Sequence, residues 1–239
     1  MRRIMAIVIL TTLIAQVRSA RAQGDDSGIG YFALIFTPPG GIAPVARQWM
    51  LSDPSTKISF DANWGHLPVD NSSINMFTGG VTFPTDSGKA DFGLSAGYGM
   101  LNCSGCFGTF VLGAEYEGRV MQSSGTNGTF TLGLDGRLGL GRTSLSGGAT
   151  TYLSASAGMP LSLAFGRGDA MRIVPFLTPA VGIGHVGSSL GETGVRLLVG
   201  GGVGILSQPS GIGATLGVQR VLIDGGKFLF GLGVSLIRR

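Results

Sequence analysis

From residue 57 onward, apolar residues return at every second position, the mark of strands with one apolar face. Between Thr129 and Leu140, the residues Phe130, Leu132, Leu134, Leu138 and Leu140 share one face, while Thr129, Thr131, Gly133, Asp135, Arg137 and Gly139 share the other. A helix would scatter both sets. The same alternation runs through Ile58 to Trp64, Ala90 to Tyr98, Phe110 to Tyr116, Ala149 to Met159, Val195 to Ile205, Ile212 to Val218 and Phe228 to Leu236. Residues 73–83 and 170–186 alternate less cleanly, and the second segment carries Pro175 and Pro179, which a central strand tolerates poorly. About ten strands result. The connections between them, such as Pro84 to Gly88 and Gln208 to Gly211, are short and rich in Gly, Ser, Pro and Asp. Successive strands should therefore pair as an antiparallel meander.

Two architectures share this pattern. In a soluble sandwich the apolar faces meet each other, and in a membrane barrel they meet lipid. Several strands run about 10 to 16 residues, longer than the usual 5 or 6 of soluble sheets and suited to crossing a bilayer at a tilt. The opposite face is dominated by Gly, Ser, Thr and Ala rather than by the Lys, Glu and Gln of a solvated sheet, as a narrow lumen needs. An up-and-down transmembrane β-barrel of about ten strands, spanning residues 57–239, is the expected fold. Its small-residue face carries five acids, Asp61, Asp91, Glu115, Glu117 and Asp135, and five bases, Lys57, Arg119, Arg137, Arg172 and Arg196. An even balance points to internal ion pairs filling a narrow interior, since isolated buried charges are costly.

Composition supports an exported all-β chain. Of 239 residues 43 are Gly, without the strict every-third spacing of collagen. After residue 23 the longest apolar run, Leu197 to Leu206, is ten residues, well short of a membrane-spanning helix. At the start, Arg2 and Arg3, the apolar stretch Ile4 to Ala15 and the small-x-small triplet Ala20-Arg21-Ala22 predict a signal peptide over residues 1–22, cleaved before Gln23. Arg2, Arg3, Arg18 and Arg21 leave with it, so 13 bases remain against 13 acids. The mature chain is formally neutral and has no basic tract for nucleic acid. Residues 23–56 are irregular, with Ile29 to Thr37 a candidate extra strand and the rest a loop or lumen plug.

A signal peptide, about ten alternating strands, short connections and a strand at the C-terminus resemble the small outer-membrane β-barrel proteins of Gram-negative bacteria, over most of residues 57–239. The resemblance implies the cell outer membrane as location, its lipid as surroundings and the barrel-assembly machinery as a partner in biogenesis. Those proteins usually end in an aromatic residue, whereas this chain ends Leu236-Ile237-Arg238-Arg239 with Phe228 and Phe230 further back.

Candidate chemistry is sparse. Cys103 and Cys106, in Cys-Ser-Gly-Cys between two strands, read as a loop disulfide in an exported chain. A thioredoxin-like site would need a βαβ context, and zinc would need two further ligands where only His66 and His185 exist. His185 precedes Ser188, Ser189 and Glu192, yet no Gly-x-Ser-x-Gly motif surrounds these serines, and a loop histidine is the plainer reading. Glu115 and Glu117, two apart with Arg119 following, suggest an ion-pair ladder rather than an acid-base couple. No cofactor, metal or catalytic residue is expected. The expected role is structural, adhesive or envelope-supporting with a packed lumen; a small porin-like channel and a barrel-wall lipid hydrolase are the alternatives.

Overall fold

The computed structural model describes residues 56–69, 72–85, 89–101, 108–126, 128–145, 148–166, 170–187, 192–222 and 228–238. The expected signal peptide, the segment 23–55 and Cys103 with Cys106 lie outside them. Among the described residues eleven antiparallel strands follow one another: β1 (Ile58–Val69), β2 (Ser72–Pro84), β3 (Ala90–Leu101), β4 (Thr109–Gly125), β5 (Gly128–Leu145), β6 (Gly148–Gly158), β7 (Leu161–Ala164), β8 (Met171–Gly187), β9 (Glu192–Ser207), β10 (Ile212–Val221) and β11 (Phe228–Arg238). Each pairs with the next except β6 and β7, which both lie between β5 and β8, and β11 pairs with β1 from Ile58↔Arg238 to His66↔Phe230, which closes the cylinder among the described residues. The β4–β5 hairpin is tighter than its sequence suggests, since the ladder continues to Gly125↔Gly128.

The staves number ten because β6 and β7 form one, lying end to end between β5 and β8. Proline explains the break. Met159 donates its N–H to the Pro179 carbonyl at 3.0 Å, but Pro179 has no N–H to return, and Pro160 beside it has none either. Pro175, four residues from Pro179 and of the same parity, aims its missing donor at the same stave. The ladder from β8 to β9 consequently runs unbroken from Met171↔Ser207 to Val186↔Glu192. A central strand holds two prolines here because both vacancies face the one broken neighbour.

Following one register row around the barrel gives its tilt. From Gly187 the row passes Thr151, Arg142, Phe110, Tyr98, Phe77, Trp64, Leu232, Leu216 and Val203, and returns to β8 at Pro175, twelve residues below its start. That stagger over ten staves corresponds to strands tilted by about 40°. On β8 the outward residues Ile173, Pro175, Leu177, Pro179, Val181 and Ile183 are all apolar. They cover about 25 Å of height at that tilt, the thickness of the apolar band on a membrane barrel. The belt continues around the outside through exposed Phe60, Phe92, Leu112, Leu138, Leu216, Leu232 and Val234.

Candidate functional site

Among the described residues the enclosed part is the inward face of the barrel, and its chemistry changes with height. With the end that carries Lys57 and Arg238 as the lower one, the upper lumen holds Leu67, Ile74, Met76, Leu198, Val221 and Leu229, all buried. Each shares parity with inward polar neighbours such as Asn63, Thr78 and Thr215. At the lower end Val174, Phe176, Leu206 and Ile237 pack into one apolar cluster, with Ala164 against it. The expectation of a polar interior holds over β3, β4 and β5, and apolar side chains take its place in part of the upper lumen and, on the opposite wall, at the lower end. The weakly alternating segments 73–83 and 170–186 supplied the signal: Ile74 and Met76 face in while Phe77 and Val81 face out, and Val174 and Phe176 face in while Ile173 and Leu177 face out. Strands apolar on both faces lose the two-residue period.

Glycine makes room for the lower cluster. Gly202, Gly217, Gly231 and Gly65 lie side by side on β9, β10, β11 and β1, between Phe176 on β8 and Met76 on β2. A Cβ at Gly202 would come within 2.9 Å of Phe176 Cε1 and 2.7 Å of Gly217 Cα, so the aromatic ring occupies space that Gly202 leaves. Gly211 has a separate task. It turns β9 into β10 at φ +67°, a left-handed conformation that favours glycine, and donates to the Ser207 carbonyl at 2.9 Å.

The charged wall lies on β3, β4 and β5. Register sets Asp91 opposite Glu117 and Glu117 opposite Asp135, and one step higher Glu115 faces Arg137. The Arg137 guanidinium reaches Asp135 Oδ2 at 2.6 Å and Glu115 Oε1 at 3.6 Å. Asp91, Glu115, Glu117 and Asp135 are all buried. Directly opposed carboxylates repel, and Arg137, projecting between two strands, is the cation that offsets this.

The other residues named from the sequence are dispersed. Asp61, half-buried on β1, accepts from Asn63 Nδ2 at 3.4 Å. Arg119 bonds Gln122 at the β4 bulge that separates it from Met121. Lys57 is exposed at the lower rim, where its backbone N–H bonds the Arg238 carbonyl at 2.9 Å. Arg172 is half-buried near the lower end of β8, and Arg196, high on β9, donates to the Val195 carbonyl at 3.0 Å. Among the described residues the ion pairs of Arg137 lie on β4 and β5, and the five other candidates stand at or near β1, β4, β8 and β9.

His185 lies within β8 rather than in a loop, faces outward and sits 2.8 Å from Thr193 Oγ1 through Nδ1. Ser188 and Ser189 fall outside the described residues. Among the described residues no group of His, Cys, Asp and Glu is arranged to hold a metal ion.

No protein-family model and no curated protein matches the chain. Among solved structures it is similar to the translocator domain of autotransporter NalP from Neisseria meningitidis, at 15% identity and TM-score 0.40, over 81% of this chain and 94% of that one. It is also similar to the N-terminal β-barrel domain of Pseudomonas aeruginosa OprF, at 11% identity and TM-score 0.29, over 76% of this chain and 96% of that one. A third is Ail, the attachment invasion locus protein of Yersinia pestis, at 13% identity and TM-score 0.29, over 76% of this chain and 97% of that one. Likeness at this level transfers no activity, and the barrel assignment rests on the strand pairing.

Proposed function

We propose that this chain is an exported outer-membrane barrel with a structural, adhesive or envelope-supporting role, and that its lumen is closed to solutes. One observation carries the reading: the closed cylinder is apolar on the outside, while buried apolar side chains near both ends and a buried charged wall project into its interior. Exposed apolar patches on water-soluble monomers rarely exceed a few hundred Å², so a continuous belt of Phe, Leu, Ile and Val calls for a lipid solvent. Inside, the upper ring around Leu67 and Met76 and the lower cluster around Phe176 and Leu206 place apolar layers where a conducting pore would need water.

Membrane fractionation followed by gel electrophoresis with and without boiling tests the location and the closed barrel together. The chain should need detergent for extraction and should shift mobility on heating. Planar-bilayer recording tests the lumen: no steady nanosiemens steps are expected, and such steps would replace the structural reading with a channel. Recovery in the soluble periplasmic fraction would overturn the membrane reading itself.

A further inference from the structure

The outer wall over β4, β5, β6 and β8 is not smooth. A hollow of about 610 Å³ opens there, walled by Leu112, Leu140, Leu153 and Ile183 and floored by Ala114 and Ala155. His185 lines its upper rim. Register places Arg142 one step above Leu140, between Phe110 and Thr151, with its side chain exposed on the outer face. Because the strand tilt lowers a register row from stave to stave, Arg142 and His185 stand at nearly the same height, about 12 Å apart. Both cap the apolar band from above. No described residue forms a salt bridge with Arg142, and the contact of His185 Nδ1 with Thr193 leaves Nε2 for a second partner.

We propose that this hollow is a docking site for one anionic phospholipid: an acyl chain lies along the Leu-lined cleft, and its phosphate sits at the rim between Arg142 and His185. The proposal rests on the reading that the outward face meets lipid. Charge complementarity selects the occupant. An uncharged acyl ligand would need only the cleft, whereas a cation with no described acid beside it, raised to the headgroup level above an apolar recess, matches a group that is apolar below and anionic above. Arginine also suits phosphate, since its planar fork donates two parallel hydrogen bonds.

The test uses the full chain reconstituted in phosphatidylcholine vesicles containing phosphatidylglycerol, with flotation to confirm insertion and native mass spectrometry to count lipids retained after mild detergent exchange. Wild-type protein should keep one phosphatidylglycerol in preference to phosphatidylcholine. Arg142→Gln should cut that preference roughly fivefold, the scale of one basic residue at an anionic membrane surface. Ala155→Phe, which fills the cleft, should remove the retained lipid while flotation and heat-modifiability persist, and millimolar inorganic phosphate should not displace it. A protein that floats but retains both lipids equally, or whose preference survives Arg142→Gln, overturns the proposal and leaves the membrane reading intact. Failure to float overturns both.

Discussion

In the lower half of the barrel, β4 and β5 fill the lumen with Glu115, Glu117, Asp135 and Arg137, whereas β8, β9 and β11 fill it with Val174, Phe176, Leu206 and Ile237. The two walls reach the same end by opposite means. On the charged side, one guanidinium holds two buried carboxylates. On the apolar side, glycines draw the backbone close and a single aromatic ring occupies the gap. Burial of ions is costly unless they are paired, while burial of apolar chains is favourable without any partner. The charged wall therefore turns on the pairing of Arg137 with Asp135 and Glu115, and the apolar wall on the fit between Phe176 and Gly202.

The largest expected effect follows from that fit. Gly202→Val places side-chain atoms against the Leu216 carbonyl and the Phe176 ring, and should prevent closure, seen as loss of the heat-modifiable gel band. Next, Phe176→Ala leaves a cavity and should cost about 3–5 kcal/mol in urea unfolding from lipid vesicles. Arg137→Met should cost a similar amount, about 3–5 kcal/mol, because it leaves buried carboxylates without their cation. The two losses differ in their cure: adding Glu115→Gln and Asp135→Asn should recover most of the Arg137→Met deficit and none of the Phe176→Ala deficit. If the triple variant is no more stable than Arg137→Met, ion pairing is not what holds the charged wall. The smallest effect belongs to Glu117→Gln, which relieves repulsion in the row Asp91–Glu117–Asp135 and should stabilise by at most about 1 kcal/mol.

The contrast also shows what a sequence can reveal. On β5 every outward residue from Leu132 to Leu140 is apolar or Gly and every inward one small or charged, so the strand and its facing could be read from the letters alone. On β8 apolar residues occupy both faces and two prolines break the pairing on the β6–β7 side, so its bounds could be read, 170–186 against Met171–Gly187, but its facing could not. The ten charges were visible as inward by parity, but which of them meet depends on register: the β4–β5 ladder sets Arg137 opposite Glu115, while Arg196 lies high on β9. Register belongs to the pairing of strands and has no signature within any one of them. The hollow beneath Arg142 was hidden for the same reason, since its walls come from four staves.

The central claim is that the outer face contacts hydrocarbon. Leu232, the middle of the five outward residues Phe228 to Leu236 on β11 and 49% exposed, probes it most directly through Leu232→Arg, with stability measured by urea titration in phospholipid vesicles. A charge at mid-bilayer depth should cost about 2–4 kcal/mol. A change within about 0.5 kcal/mol, as for an exposed site in water, would contradict it.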